Sequence, residues 1–263
     1  MQPKVYLVGH TAVLEDGLNQ FLRDTGNEAF AEQIADAREL GLSDGEILCS
    51  FYAKLCYESL TEGKNDNIAK TRSVWNNLKA TMDMAHGSVF RHANLNFVAA
   101  NCSRVFTHEA VRHAAGTAHS QTSGRYVRGE NLDVVFDPIL EPIREECEEM
   151  RAYTEQWYRR AVDAIGLPAE TDFARKKKVT SALRRFLPNG ISNKLGFTHN
   201  IQALRHIVMM RTAEAAEWEI RCVYAQVYEL TCGKYPMLYH GAKTRVVDGV
   251  LEVSGMRTQP YER

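Results

Sequence analysis

The sequence lacks the features that identify several large classes of protein. Its six cysteines are scattered and include no C-x-x-C pair, so neither a zinc ribbon nor a disulfide framework is indicated. It contains no apolar run of about 18 residues, and the apolar stretch in the N-terminal MQPKVYLVGH is too short for a signal peptide. We therefore expect no transmembrane helix, no membrane association and a reducing, cytoplasmic environment.

Several common site motifs are also missing. The chain has no G-x-G-x-x-G or Walker sequence, no H-E-x-x-H and no G-x-S-x-G elbow. A Rossmann or P-loop nucleotide site, a metal centre and a serine hydrolase site are therefore not predicted. The formal net charge is only −1 at pH 7, so long-range attraction to nucleic acid is not expected either. Any bound anion must be held by local clusters of arginine.

What remains is typical of one globular domain. The chain has 263 residues, of which 44% are hydrophobic and 25% charged, and no repeat or Pro/Gly/Ser-rich linker divides it. The pattern predicts strands in KVYLVG and SVFRHANLNFVAAN and a hairpin in RVVDGVLEV. Helical spacing is present in LEDGLNQFLRDTGN, SDGEILCSFYAKLCYESL, DNIAKTRSVWNNLKATMDMA, SRVFTHEAVRHAA, PIREECEEMRAYTEQWYRRAVDAIGLP, TDFARKKKVTSALRRFLP, NIQALRHIVMMR and AEAAEWEIRCVYAQVYELTC. The pattern allows the last two to be separate helices or one continuous helix. Ser43, with Glu46 three residues on, predicts a capping box, and Ser103 predicts a further helix N-cap. We predict a single α+β domain over residues 1–263.

The segment HSQTSGRYVR, residues 119–128, is rich in hydroxyl, amide and guanidinium groups. Neither an amphipathic helix nor a half-buried strand has this composition, so we predict a loop. A solvated turn is the simplest interpretation. The helix pattern just upstream ends with Arg112 and His113, however, and two arginine-bearing segments meeting there suggest an anion site. Arg184 and Arg185 add basic groups near another helix C-terminus, where they also complement the helix dipole.

Arg211 occupies an unusual position. Ile201, Leu204 and Val208 follow a three-four spacing that places position 211 on the same apolar helix face. A guanidinium on such a face needs a partner, because an unpaired buried charge is costly. The sequence leaves three explanations open: an ion pair with a core carboxylate, a helix that ends at Thr212, or a role in a binding site.

Short segments in a fixed order point to one family. AHGSVFRHANLNF is followed by EAVRHA and HSQTSGRYV, and these by ALRRFLP, THN, MMR and AEWEI. In this order and spacing they resemble the motifs of the flavin-dependent thymidylate synthases, over roughly Ser59 to Leu230. Each motif is weak alone, but together they are specific.

The chain departs from the family pattern at several positions. Ala114 replaces the second signature arginine, and the step from Arg112 to Ser123 is one residue longer than usual. Arg91 stands where the family has a glutamate, and Gln202 where it has an arginine. Glu217 also replaces a glutamine, and residues 1–50 have no evident counterpart, so we interpret them as a family-atypical extension.

The resemblance implies a twisted β-sheet surrounded by helices and a homotetramer whose active sites are shared between chains. It implies methylation of dUMP to dTMP at C5, with methylenetetrahydrofolate as one-carbon donor, reduced FAD as hydride source and NADPH as reductant. Arg211 would be the catalytic residue, facing the uracil carbonyl. The implied substrate-binding residues are Glu109, Arg112, Gln121, Thr122, Ser123, Gly124, Arg125, Arg184 and Arg211. The implied cofactor-binding residues are His86, Ser88, Arg112, His113, Gln121, Asn200, Gln202 and His206.

Two other functions fit the same sequence. The altered signature is compatible with a related enzyme that methylates UMP or hydroxymethylates dUMP in a nucleoside-antibiotic or phage pathway. It is also compatible with a nucleotide-binding homologue in which Ala114 has abolished flavin turnover. The retained SQTSGRY segment favours dUMP, because the altered residues lie mostly among the implied flavin positions.

Overall fold

The computed structural model describes residues 2–126, 129 and 132–258. Its strands are β1 (Lys4–His10), β2 (Asn94–Ser103), β3 (Thr117–Gln121), β4 (Ser192–Asn200), β5 (Lys243–Val247) and β6 (Val250–Ser254). Its α-helices are α1 (Glu15–Asp24), α2 (Ala29–Glu39), α3 (Asp44–Leu55), α4 (Val74–Asp83), α5 (Arg104–Ala110), α6 (Arg144–Ala164), α7 (Phe173–Leu183), α8 (Ile201–Thr212) and α9 (Trp218–Cys232). Val127 and Arg128, at the end of the predicted loop, lie outside the described residues.

The strands β1 to β4 form an antiparallel sheet in the order β1-β2-β4-β3. In its centre Phe97 of β2 lies opposite Phe197 of β4, and their rings stack with centroids 5.2 Å apart. The strands β5 and β6 form the predicted hairpin, in which Asp248 and Gly249 both have positive φ, as a type I′ turn requires. Together with the helices this confirms the predicted α+β fold.

The first 50 residues belong to the main core. Strand β1 pairs with β2 at the sheet edge, and the backbone N–H of Val5 donates to Gln226 Oε1 at 3.0 Å. Ser43 and Glu46 form the predicted capping box at the start of α3. The other carboxylate oxygen of Glu46 accepts the backbone N–H groups of Met237 and Leu238. The buried cluster that contains these contacts runs from Val5 to Met256, so the N-terminal segment is part of the sheet and its packing.

Two strands differ from the sequence-based predictions. The prediction of a loop for residues 119–128 is wrong for His119–Gln121, which belong to β3, and β4 was not predicted at all. Within the described residues, strand β3 is an edge strand that pairs only with β4, so its polar side chains can remain at the surface. Strand β4 buries alternate positions that include Asn193 and His199, and polar residues at buried positions hide the strand pattern.

Two predicted element boundaries also need correction, and one alternative that the sequence left open is resolved. Helix α4 begins only at Val74, because Ser73 caps it by accepting the N–H of Asn76, and the predicted residues upstream are not helical. The first part of SVFRHANLNFVAAN forms a 3₁₀ turn, Gly87–Arg91, and the strand starts at Asn94. The helices α8 and α9 are separate. No helix of the described part of the chain has the length and apolar character needed to cross a bilayer.

Candidate functional site

Three adjoining cavities lie where β3, α5 and the start of α8 meet. Their volumes are about 310, 490 and 750 Å³, and we call them the first, second and third cavity. Arg104 lines both the first and the second, and Arg112 lines both the second and the third. The three cavities therefore adjoin one another, and each has a size in the range of small-molecule sites.

The first cavity is built to bind an anion. Arg104, Arg184 and Arg185 contribute guanidinium groups to its wall, and none of its described lining residues is acidic. The loop after β3 supplies Thr122 and Gly124. A Cβ at Gly124 would stand 3.5 Å from Arg184 Cδ, so the loop passes directly over that arginine. Guanidinium groups in such a cluster can bind a phosphate through paired hydrogen bonds.

Ser123 and Arg125 belong to the same loop but do not line the first cavity. The hydroxyl of Ser123 accepts the backbone N–H of Arg125 at 3.3 Å, which tightens the turn. The Arg125 side chain is exposed. The loop therefore brings some of the predicted substrate residues together and leaves these two at its outer surface.

The second cavity contains three more of the predicted substrate residues. Glu109 and Arg112 reach it from α5 and the turn that follows, and Gln121 from the end of β3. Arg104 Nη1 donates to Gln121 Oε1 at 3.4 Å and so connects the start of α5 with β3. Ser103 caps α5 as predicted, by accepting the N–H of Phe106.

The third cavity collects most of the predicted cofactor residues. Asn200, Gln202 and His206 line it from the start of α8, and Arg112 and His113 from the turn after α5. Asn200 Oδ1 caps α8 by accepting the N–H of Ala203 at 2.8 Å. Its position is fixed further by Gly116, where an added Cβ would stand only 2.3 Å from Asn200 Nδ2.

Arg211 lines none of the three cavities itself, but it contacts Glu109 of the second and His113 of the third. Its Nη1 contacts Glu109 Oε2 at 3.1 Å, and its Nε donates to His113 Nε2 at 2.7 Å. Burial, and after it the charge of Arg211, lowers the pKa of His113 to about 4, so the ring is neutral and can accept. The ion pair and the helix end at Thr212 both occur, and the Thr212 hydroxyl accepts the N–H of Val253. The side chain of Arg211 remains 18% exposed.

His86 and Ser88 are not brought together with the other cofactor residues. They line a separate cavity of about 610 Å³, together with Lys54 and Arg72. The cause lies in Gly87 between them, where an added Cβ would stand 2.3 Å from Nε2 of Gln202. Because the turn packs on α8 through this glycine, the side chains on either side of it do not reach the third cavity.

Arg104 is a site residue that the sequence-based predictions missed. It follows the cap Ser103 and is the first residue of α5, where the helix dipole disfavours a cation. A basic residue at this unfavourable position suggests a role in binding, and this was the sequence signal that could have identified Arg104. Asn189 also lines the first two cavities, but it lies in a loop without a recognisable pattern.

The fold places three arginine-lined cavities at the junction of a sheet and two helices, a setting that suits anionic small molecules. The model of the family described as thymidylate synthase complementing protein matches residues 41–237. The chain belongs to this family, which confirms the predicted resemblance.

Curated relatives agree. The chain is 29% identical over 228 residues to the flavin-dependent thymidylate synthase of Corynebacterium diphtheriae, covering 83% of this chain and 86% of that protein. It is 32% identical over 185 residues to the enzyme of the same name from Mycolicibacterium vanbaalenii, covering 67% and 71%.

A solved structure supports the fold. It is that of a UMP/dUMP methylase, PolB, from Streptomyces cacaoi bound with 5-Br dUMP, with a TM-score of 0.58 at 15% identity. The likeness covers 90% of this chain and 93% of that one. At this identity the comparison carries the fold alone.

Proposed function

We propose that the protein is a flavin-dependent thymidylate synthase, which converts dUMP to dTMP by placing a one-carbon unit from methylenetetrahydrofolate on C5. The family assignment confirms this class of enzyme, a flavin-dependent methyltransferase. The observation that carries the proposal is that Arg211 contacts both Glu109, which lines the second of the two smaller arginine-lined cavities, and His113, which lines the third, larger one. This arrangement suits a nucleotide on one side and a cofactor on the other.

The nucleotide would occupy the first two cavities. Its phosphate would lie against Arg184 and the loop residues Thr122 and Gly124, and Ser123 and Arg125 would contact it from the same loop. Its sugar and base would lie in the second cavity against Glu109, Arg112 and Gln121. The three arginines of the first cavity support this placement, because a nucleotide monophosphate is a dianion near neutral pH.

Arg211 would stabilise negative charge on the uracil ring. Glu109 and His113 hold its guanidinium from two sides, and among the described residues its Nη2 atom has no partner. A donor fixed in advance costs no reorganisation when charge develops on the substrate. His113 can hold Arg211 in this way only while its own ring is neutral.

The third cavity fits a flavin dinucleotide. FAD carries a diphosphate, and the wall includes Arg91 and Arg112 while none of its described lining residues is acidic. Arg112, His113, Asn200, Gln202 and His206 would hold FAD there, with Gln121 near the boundary to the nucleotide. When bound, reduced FAD supplies the hydride of the reaction, and we propose NADPH as the source of that reduction. The chain's own residues bind, orient and separate the reactants.

A shared active site would account for His86 and Ser88. Both are predicted cofactor residues, yet they open into a different cavity of the same chain. In the homotetramer that we propose, they would meet the flavin bound by a neighbouring copy.

The cysteines support a mechanism that does not use a thiolate. Burial raises the pKa of Cys49 and Cys102, the latter to about 12, and that of Cys222 to about 11. A thiol of this kind remains protonated and is a poor nucleophile. All six cysteines are free, which fits a reducing compartment, and we propose the cytoplasm.

The test is release of tritium from C5-labelled dUMP and UMP, in the presence of FAD, NADPH and methylenetetrahydrofolate. We expect release from dUMP with formation of dTMP, and little from UMP. Omission of the folate is the control. Release from UMP at equal or higher efficiency would instead assign a UMP methylase, and a hydroxymethyl product would assign a hydroxymethylase. If the protein binds dUMP but releases no tritium, it would be assigned as the non-catalytic homologue.

A further inference from the structure

Two departures from the family pattern touch each other. Arg91, the last residue of the 3₁₀ turn, donates from Nε to Oε1 of Gln202 in the first turn of α8 at 2.6 Å. The family has a glutamate at the first position and an arginine at the second. In this chain the positive charge is at position 91 and position 202 is neutral, although the two residues are 111 positions apart. The exchange keeps one guanidinium at this contact, but the 3₁₀ turn carries it here, whereas α8 carries it in the family pattern.

The exchange alters the charge of the third cavity. Arg91 and Gln202 both line it, and so does Ala114, where the family has a further arginine. Relative to the family pattern this wall lacks an arginine at positions 114 and 202 and gains one at position 91 in place of a carboxylate, so Arg91 and Arg112 are the arginines that line it among the described residues. Without a charge at position 91, Arg112 would be left to balance an anionic ligand.

The geometry holds Arg91 in a state suited to binding. The side-chain amide of Gln202 packs against the backbone of Gly87, because a Cβ added at Gly87 would be only 2.3 Å from Gln202 Nε2. Its Oε1 therefore remains directed at Arg91 Nε. Among the described residues, the two terminal nitrogens of Arg91 have no hydrogen-bond or ion-pair partner. A guanidinium held at Nε leaves these two nitrogens as a fork, which matches phosphate oxygens.

We propose that Arg91 binds the diphosphate of FAD, with Gln202 as its positioning residue, and so replaces the cations that this chain lacks at positions 114 and 202. The inference rests on the proposed function, since it assigns the flavin to the third cavity. It makes Arg91 a cofactor-binding residue that the family pattern does not indicate.

The experiment compares binding of FAD and riboflavin to the flavin-free protein by quenching of flavin fluorescence. Arg91→Ala should raise the Kd for FAD about 10- to 100-fold, the range expected for loss of a charge-assisted hydrogen bond. Riboflavin has no phosphate, so its Kd should change less than about threefold by the same reasoning. Arg160→Glu, an exposed charge reversal on α6 outside the three cavities, should change neither.

A reciprocal exchange makes the test sharper. Arg91→Glu alone should weaken FAD binding more than Arg91→Ala, and Arg91→Glu with Gln202→Arg should recover most of the wild-type affinity. Equal losses for FAD and riboflavin would assign Arg91 a structural role, and an unchanged FAD affinity in Arg91→Ala would overturn the proposal. If the wild-type protein binds no flavin at all, the proposed function fails with it. If tritium release is normal and only the Arg91 effects are absent, this inference alone fails.

Discussion

Arg211 is held on two sides, by the carboxylate of Glu109 at 3.1 Å and by the ring of His113 at 2.7 Å. Its position on an apolar helix face indicated that it needed a partner, and the structure provides both Glu109 and His113. The partners themselves were not predictable, because they lie 102 and 98 positions away and reach Arg211 only through the fold. The spacing of apolar residues along a helix indicates which of its faces is buried, but not which residues pack against that face.

We expect Arg211→Ala to lower the single-turnover rate about 10²–10³-fold, because a preorganised donor to the developing charge is lost. Arg211→Lys should recover little, since an ammonium cannot contact Glu109 and His113 while also reaching the substrate. Thermal stability and FAD content, measured on the same samples, should change little.

The pKa of His113 gives a second readout of the same substitution. The charge of Arg211 lowers this pKa, so Arg211→Ala should move it upward from about 4 towards the ordinary value. NMR titration of the ring measures it, with His240, which contacts Asp83 instead, as the control. A folded variant with normal flavin content and normal turnover would contradict the catalytic role.

Among the helices and strands, those with local capping residues and a clear hydrophobic period were the ones that could be predicted. The helix starts at Ser43 and Ser103 were predicted because a cap and its partner lie within three residues of each other. The strands β3 and β4 were missed because their hydrogen-bond partners are distant in sequence and their side chains are largely polar. The cavities were assembled by these two strands, so the grouping of the site residues was also beyond the sequence alone.

The connection between α5 and β3 depends on Gly116, which has φ +71° and packs against Asn200. We expect Gly116→Ala to destabilise the protein by about 1–3 kcal/mol through backbone strain, with a further cost from the contact with Asn200 Nδ2. Gly166→Ala is a matched control, because Gly166 has the same φ of +71° but no atom within 4 Å of an added Cβ.

Urea unfolding of both variants separates the two effects. The difference in the free energy of unfolding between them measures the steric contact with Asn200 at the start of α8. Equal losses in the two variants would mean that the contact relaxes without cost, and the third cavity would then not depend on this packing.

For the molecule as a whole, we expect that no cysteine is required. A variant with alanine at the buried Cys49 and Cys102 and serine at Cys56, Cys147, Cys222 and Cys232 should keep most of its turnover. The reason is that the buried thiols are protonated and none of the six lines the three site cavities. Tritium release per folded molecule is the measurement. The contradicting result would be a variant that lacks a single cysteine, retains the other five and has lost turnover. The missing thiol would then be one that the mechanism must include.

The contact of β1 with α9 has a consequence for how the protein is made. Val5 meets Gln226 across 221 positions, and Glu46 meets Met237 across 191. A growing chain on the ribosome cannot form either contact until nearly all of it has emerged. The first strand must therefore wait for its neighbours, and chains interrupted before residue 226 should expose the apolar face of their incomplete sheet to chaperones and proteases.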